Sequence, residues 1–203
     1  MANTNRFIDC KVFEIDNKKT LVAFKMNVAR YRKLQCEFVE FDKEGDTGSR
    51  ALQKVTVFLD FEEALLLADD ITSGRFFKKA QKALDAATEK NSKYAEAIFQ
   101  SMGGTNEEKC KAKGLRTDGK AMSRTVTITP SFYKPTPFVI TAKQGAGESN
   151  AQGLIVPKYG NNPEQKVSVS CTADTLRTLA LMMDKYISAY IAKTLISGEY
   201  KEL

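Results

Sequence analysis

The sequence predicts an α+β fold built from two tandem β-β-β-β-α units, in which antiparallel sheets carry helices on one face. Two observations predict it. The pentapeptide QKVTV at residues 53–57 returns as QKVSV at residues 165–169, and each copy comes directly before a helical pattern in which Asp60 matches Thr172. Alternating apolar residues, typical of half-buried strands, precede both copies. A near-repeat at the same strand-to-helix junction indicates that one structural unit occurs twice.

The first unit covers residues 1–74. We expect strands over about residues 6–15, 20–31, 34–42 and 54–59, with a loop rich in Gly and Asp over 43–49. A helix follows the fourth strand, with Asp60 as N-cap and Glu63 placed to complete a capping box. Gly74 is placed to end this helix.

Residues 75–123 are predicted to form a basic insert between the units. It contains a helical pattern from about Arg75 to Met102, then Gly103-Gly104 and a lysine-rich loop that ends at Lys120. Residues 75–124 carry 12 basic and 6 acidic side chains, so most of the net charge of +6 is located here. A basic balance favours a polyanionic partner, with nucleic acid first, but a solvated connector explains it equally well.

The second unit covers residues 124–203 and repeats the plan. Strands are expected near residues 124–129, 138–143, 154–158 and 166–171, followed by a helix that Thr172 caps and that ends near Ser197-Gly198. Comparison of the two helix ends predicts that the second helix is longer by about three turns. Gly145-Ala146-Gly147-Glu148-Ser149 is interpreted as a flexible hairpin loop, since it lacks the Gly-Lys-Ser/Thr ending of a P-loop.

The composition excludes several enzyme classes. The chain contains no histidine, which removes the Ser-His, Cys-His and H-E-x-x-H sites. The pairs Glu62-Glu63 and Asp69-Asp70 are unsuited to Mg²⁺, because adjacent helical residues point in different directions and no third carboxylate is evident. We therefore predict no enzymatic activity, no metal and no cofactor.

The cysteine spacing and the length of the apolar runs indicate the cellular compartment of the protein. The four cysteines include no C-x-x-C pair, which is typical of a reduced, cytoplasmic location and not of a secreted disulfide framework. The start of the chain lacks the apolar core of a signal sequence, and the longest apolar runs are far too short for a membrane span. We expect a cytoplasmic protein that does not contact membranes.

The outward faces of the predicted strands carry cations, hydroxyls and rings that suit phosphate contact and base stacking. An ordinary solvated sheet is the alternative interpretation. The candidate nucleic-acid-binding residues are Lys25, Asn27, Tyr31, Lys54, Thr56, Phe58, Lys143, Lys166 and Ser168.

Two aromatic-lysine segments and one lysine cluster offer other contact points. Phe76-Phe77-Lys78-Lys79 and Phe132-Tyr133-Lys134 place rings beside cations, where the rings either stack on bases or close the edge of the core. Lys109, Lys111 and Lys113 in the insert form an alternative charged site.

The second helix is apolar on nearly all sides. Beside its main stripe it carries Leu181, Met182, Ala189, Leu195 and Ile196. Such a helix must be covered on two sides. One side packs on its own sheet, and the other needs either the first helix of the same chain or a helix of a partner.

Two tandem β4α units resemble the Whirly family of single-stranded-DNA-binding proteins and the similar kinetoplastid mitochondrial RNA-binding proteins. The resemblance is one of element order over nearly the whole chain outside the insert. The K-G-K-A-A-L segment of plant Whirly proteins has no counterpart here, so no residue role is carried over. The resemblance implies a homo-oligomer, a tetramer packed through its helices, that binds single strands across its sheets without catalysis.

These observations favour a sequence-tolerant, single-stranded DNA-binding protein that acts as a homo-oligomer in replication, recombination or transfer of DNA. A structural or protein-interaction module and an RNA-binding regulator remain as alternatives.

Overall fold

The computed structural model describes residues 10–42 and 51–197. The first sheet is antiparallel, with its strands in the order β1-β2-β3-β4. These strands are β1 (Lys11–Asp16), β2 (Thr20–Lys25), β3 (Lys33–Phe41) and β4 (Ala51–Asp60). The predicted loop 43–49, the first residues of the first predicted strand and Gly198 lie outside the described residues.

Four helices follow or interrupt the strands. They are α1 (Phe61–Thr72), α2 (Arg75–Glu89), α3 (Glu107–Ala112) and α4 (Ala173–Ile196). Helices α1 and α4 pack antiparallel against each other, since the ring of Phe61 at the start of α1 meets the ring of Tyr190 near the end of α4 at 5.9 Å between centroids. The prediction of a longer second helix is confirmed, because α1 has 12 residues and α4 has 24.

The second sheet is also antiparallel and has the order β5-β6-β7-β8, with β9 paired to β7. Its strands are β5 (Phe99–Thr105), β6 (Ala121–Pro130), β7 (Phe138–Ser149), β8 (Ile155–Pro157) and β9 (Gln165–Cys171). Strand β7 is long enough to pair with two strands on the same edge: its first part pairs with β9 and its last residues pair with β8. The predicted α+β class is confirmed.

One apolar core joins both sheets and the helices. Val22, Phe38 and Val55 stand in one cross-strand row of the first sheet and are fully buried. From the second sheet, Ile140 and Val169 enter the same cluster. The apolar stripe predicted for α4 faces this core; its buried members are Leu176, Leu179, Ala180, Met183 and Ile187. Helix α4 therefore packs its apolar stripe on the core side of the sheets.

The predicted helix over 75–102 is wrong in its second half. Helix α2 ends at Glu89, Asn91 adopts a left-handed φ of 50°, and β5 then joins the edge of the second sheet. The strand approaches β8 closely at Gly104, where a Cβ atom would lie 2.6 Å from Cγ2 of Ile155. The second unit consequently has five strands, one of which comes from the predicted insert.

The predicted hairpin loop over Gly145–Ser149 is also wrong, because these residues continue strand β7. Both glycines allow close approach of other side chains. A Cβ on Gly145 would lie 2.6 Å from Cδ1 of Tyr159, and one on Gly147 would lie 2.8 Å from Cβ of Ser123. Glycine here serves packing over a strand, which local sequence cannot distinguish from a turn.

The two predicted helix caps have different outcomes. Thr172 caps α4, since its Oγ1 accepts a hydrogen bond from the Thr175 amide at 3.1 Å. Asp60 precedes α1 but makes no side-chain cap, because its carboxylate binds Lys33 Nζ at 2.6 Å. That part of the capping-box prediction is wrong, and a cross-strand cation explains it.

Within the described part of the chain, none of the helices combines the length and the hydropathy needed to cross a lipid bilayer.

Candidate nucleic-acid interface

The face of the second sheet that points away from the helices carries two rows of polar side chains. Strand register places Thr125, Lys143 and Lys166 in one row and Thr127, Thr141 and Ser168 in the next. The intervening residues of these strands point into the core, as Val126 and Val167 do. Strict alternation therefore produces an apolar inner face and a polar outer face.

This outer face forms the floor of an open groove of about 430 Å³, which we call the second-sheet groove. The segment after α2 and the turn after β6 also line this groove. The residues that line it are Lys93, Tyr94, Ala95, Thr127, Thr129, Pro130, Ser131, Phe132, Val139, Thr141, Lys143, Lys166 and Ser168. None of these described lining residues is acidic.

Lys143 and Lys166 stand directly opposite each other on β7 and β9. Lys166 is exposed and Lys143 is half-buried. Among the described residues no carboxylate lies within 4.0 Å of either ammonium group. Like charges at directly opposed positions repel each other. The pair is thus a concentration of positive charge that an external anion would stabilise.

Hydroxyl groups cover the floor beside this lysine pair. Thr141 Oγ1 and Ser168 Oγ share a hydrogen bond of 2.9 Å, and Thr125 Oγ1 and the Tyr159 hydroxyl share one of 3.2 Å. Burial raises the pKa of Tyr159, so its hydroxyl stays protonated at neutral pH. The floor consequently offers neutral groups that both donate and accept hydrogen bonds.

Two rings stand on the walls of the groove. The side chain of Tyr94 is 83% exposed and that of Phe132 is 48% exposed, although both line the groove. A turn holds the Tyr94 segment, since the Ser92 hydroxyl donates to the Tyr94 carbonyl at 2.8 Å. Exposed rings next to a cationic floor are the arrangement that stacks unpaired bases.

The other aromatic-lysine segment has a structural role. Phe76 and Phe77 pack against Phe138 with centroid distances of 5.9 and 5.7 Å, and the guanidinium of Arg177 covers Phe77. These rings close the edge of the core, which is one of the two alternatives that the sequence left open. The segment that begins at Phe132 lies at the groove instead, where its ring is free to stack on a base.

The outer face of the first sheet differs in charge. Lys25 and Lys54 both bind the Glu37 carboxylate, at 3.3 and 3.0 Å. Partial burial opposes ionisation of Glu37, but the hydrogen bonds and charges of Lys54 and Lys25 outweigh it and hold its pKa below the usual value. Thr56 stands beside Glu37 in the register, and Phe58 lies one row further. The predicted cations on this face are therefore already paired.

Asn27 and Tyr31 were expected on the outward face of the second strand, and this is wrong. Strand β2 ends at Lys25, and a 3-10 helix follows at Ala29–Tyr31. The Tyr31 ring instead packs under the Arg30 guanidinium, 4.6 Å from its carbon atom. The alternating pattern continued past the strand because the turn residues are also apolar, and a left-handed φ of 55° at Arg32 completes the turn.

The remaining charged segments do not join the groove. Lys109 and Lys111 lie on α3 and, like Lys113 after it, are exposed and outside the groove lining. Asp69 and Asp70 bind Arg75, Asp70 also binds Lys79, and Glu62 binds Arg32. Within residues 10–42 and 51–197, no three Cys, Asp or Glu side chains converge as metal ligands would.

Of the predicted site residues, the structure brings Lys143, Lys166 and Ser168 together in one groove. Sequence reasoning missed Lys93, Tyr94, Thr127, Thr129 and Thr141. The alternation of three threonines with Val126 and Ile128 was a signal for the floor, because it marks one polar face. Nothing in the local sequence indicates that the Tyr94 segment folds back over that face.

Comparison with known proteins finds similarity only at the level of solved structures. No protein-family model matches the chain, and the curated proteins give no match. WHY1 from Arabidopsis thaliana has a TM-score of 0.45 and 8% identity, with 94% of each chain covered. The plant transcriptional regulator PBF-2 has a TM-score of 0.46 and 8% identity, with 93% of this chain and 86% of that chain covered.

Proposed function

We propose that this protein binds single-stranded nucleic acid, DNA in the first place, in the second-sheet groove and without catalysis. The observation that carries the proposal is the opposed pair Lys143 and Lys166, which lines the same groove as two exposed rings and has no carboxylate partner among the described residues. A phosphate bridging the two ammonium groups would relieve their repulsion, and neighbouring bases would stack on Tyr94 and Phe132.

The shape of the groove favours a single strand over a duplex. A duplex keeps its bases stacked inside, so rings on a sheet surface have no base face to contact. A volume of about 430 Å³ lies within the usual range of pockets for small ligands, and an unpaired nucleotide is of that size. The groove therefore selects for bases that are free to turn outward.

The contacts available are tolerant of sequence. Stacking uses the π-face that every base has, and the lysines contact phosphates that carry no sequence information. The floor hydroxyls of Thr127, Thr141 and Ser168 both donate and accept, so they accommodate different base edges. We infer binding with weak base preference.

We infer a non-enzymatic role. The chain has no histidine, and the groove lining has no carboxylate to act as general base or metal ligand. The groove can bind and hold a strand, but its described lining offers neither a histidine nor a carboxylate for proton transfer.

We also propose that the protein acts as a homo-oligomer in the cytoplasm, in replication, recombination or transfer of DNA. Helix α1 covers one side of α4, yet Leu181, Leu195 and Ile196 remain 53%, 59% and 88% exposed. A groove of about 460 Å³ between α1 and α4 is lined by Leu65, Ala68 and Leu181 together with the polar residues Asp69, Thr72, Asp184 and Ser188. A second copy with the same helices is a suitable cover.

The direct test is an anisotropy titration with labelled oligo-dT, oligo-U and a duplex of equal length. We expect oligo-dT to bind at least tenfold more tightly than the duplex, with affinity falling as salt rises. Tighter binding of oligo-U than of oligo-dT would assign the protein to RNA. Binding of the duplex as tightly as either single strand would refute a single-strand site.

A further inference from the structure

Arg124 is a half-buried cation for which the described residues provide no counterion. It lies on β6 beside Thr125 but on the opposite face of the second sheet from the groove. Its hydrogen bonds go to Gln144 Oε1 at 2.9 Å and to Thr105 Oγ1 at 3.3 Å, and both partners are neutral. No carboxylate of the described residues forms an ion pair with it. Burial lowers the pKa of Arg124, as expected for a cation that is desolvated without a neighbouring anion.

The hydrogen bond from Arg124 fixes the orientation of the Gln144 side-chain amide. Arginine only donates, so Gln144 must present its carbonyl oxygen to Arg124. The amide nitrogen of Gln144 then donates to Gln165 Oε1 at 3.1 Å. Gln165 is left with its amide nitrogen for further contacts. The unused N–H groups at this end of the sheet belong to Arg124, Gln144 and Gln165.

Open space lies at Gly103, the cross-strand neighbour of Arg124. Gly103 on β5 stands directly opposite Arg124, and a Cβ atom placed there would meet nothing within 4 Å. The carboxylate nearest in sequence to Gln165 is Glu164, and both of its oxygens bind Arg116. A side chain at Gly103 would thus have room, and the carboxylate nearest in sequence to Gln165 is already bound to another cation.

We propose that Arg124, Gln144 and Gln165 form a phosphate-binding site that is separate from the second-sheet groove. The planar guanidinium presents paired N–H groups at the spacing of two phosphate oxygens, and the amide of Gln165 supplies a further donor. A phosphate here provides the counterion that the described residues lack. The phosphate belongs either to a nucleic-acid strand or to a free phosphate compound, and the chemistry of the site is the same for both.

The test uses inorganic phosphate as the probe and the melting temperature as the readout. The protein is compared in sodium phosphate and sodium chloride at equal ionic strength and pH. At a phosphate concentration ten times the dissociation constant, the melting temperature should rise by about 3–6 °C over the chloride value. Arg124→Gln should lose this rise when it is made in the Lys143→Gln/Lys166→Gln background, which removes any phosphate bound in the groove.

A second variant keeps Arg124 and blocks the site. Gly103→Asp places a carboxylate opposite the guanidinium, in space that is empty, and should abolish the phosphate effect. Gly103→Asn has nearly the same shape without the charge and should retain it. Equal phosphate effects in the Asp and Asn variants, or no phosphate effect in the unmodified protein, would overturn the proposal.

Two further measurements separate this site from the groove and assign its occupant. Lys143→Gln/Lys166→Gln should retain the phosphate effect. If this variant loses the effect while Gly103→Asp keeps it, the phosphate binds in the groove and the proposal is refuted. Oligo-dT affinity that is at least fivefold weaker in Gly103→Asp than in Gly103→Asn supports a strand phosphate at the site. If Gly103→Asp and Gly103→Asn bind oligo-dT with equal affinity, and only the Asp variant loses the phosphate effect, the occupant is a free phosphate.

Discussion

The side-chain oxygen of Gln53 accepts a hydrogen bond of 3.0 Å from the backbone N–H of Lys166. Gln53 begins the first pentapeptide of the repeat, and Lys166 is the second residue of the other. Among the described strands, β9 pairs with β7 on one edge, and its other edge faces the first sheet's Gln53 and Asn17. Gln53 satisfies one backbone group of that edge, and Asn17 satisfies another by donating to the Ser170 carbonyl at 3.0 Å. The two copies of the repeat therefore meet in space and join the two sheets.

Loss of this contact should weaken the junction between the sheets. We expect Gln53→Ala to lower the free energy of unfolding by about 1 kcal/mol, the usual net contribution of one hydrogen bond. Urea unfolding followed by circular dichroism measures the change. Gln152→Ala, in an exposed turn, is the matched control and should change stability by less than about 0.5 kcal/mol. Equal stabilities of the two variants would show that the contact contributes nothing.

Glu63 should make stability depend on pH in the acidic range. Burial raises its pKa above the ordinary value of 4.5, although Ser101 donates to its carboxylate at 2.9 Å. When the pKa of an acid is higher in the folded than in the unfolded state, the ionised form of that acid destabilises the fold. Stability is therefore regained as the pH falls from the pKa of the folded state to the pKa of the unfolded state. Glu63→Gln should be more stable than the unmodified protein at pH 7, and the difference should shrink towards pH 4.5.

Thermal unfolding of both proteins between pH 4 and pH 8 measures this difference. Glutamine still accepts from Ser101, so the variant removes the charge without removing the hydrogen bond. A Glu63→Gln variant that is less stable at pH 7 would mean that the carboxylate stabilises the fold.

The groove rings should contribute to affinity through stacking. We expect Tyr94→Ala and Phe132→Ala each to weaken oligo-dT binding by about 1–3 kcal/mol. Tyr133 is 64% exposed and does not line the groove, so Tyr133→Ala is the matched control. Anisotropy titrations at one salt concentration compare the three. A control that loses as much affinity as the groove variants would place the strand elsewhere.

The apolar side of α4 should hold copies of the chain together. Leu181 and Leu195 lie 14 residues apart, close to four helical turns, and so share one side of the helix. Leu181→Glu/Leu195→Glu should dissociate the oligomer, which sedimentation equilibrium measures directly. Leu154→Glu, in an exposed turn, should leave the oligomer intact. A monomeric unmodified protein at all concentrations would contradict this assembly.

The fold class and most elements could be predicted because the apolar periodicity is strong. The residues around the two pentapeptides alternate clearly, and both strand-to-helix junctions lie within one or two residues of their predicted positions. Strand β5 could not be predicted, since its sequence Phe99–Thr105 contains two glycines and pairs with residues 17 to 29 positions away. Such pairing depends on Ile155 packing over Gly104, which local sequence does not reveal.

The candidate site was predictable in part. Lys143, Lys166 and Ser168 follow from strand alternation, which fixes the face on which they lie. Lys54 and Lys166 occupy equivalent positions in the two pentapeptides, but they differ in ion pairing. Glu37 on the neighbouring strand binds Lys54, whereas no described carboxylate binds Lys166. A cross-strand partner depends on register, and register is a property of the folded sheet.

The central claim is that the second-sheet groove, and not the first sheet, binds the strand. The measurement is the salt dependence of oligo-dT affinity for Lys143→Gln/Lys166→Gln and for its matched control Lys25→Gln/Lys54→Gln. Each lost phosphate contact lowers the slope of log affinity against log salt by about 0.7 for a single strand. We expect the groove variant to lose about 1.4 from this slope and at least tenfold in affinity, while the control, whose lysines are bound to Glu37, keeps both within error. An unchanged slope in the groove variant, or an equal loss in the control, would contradict the account.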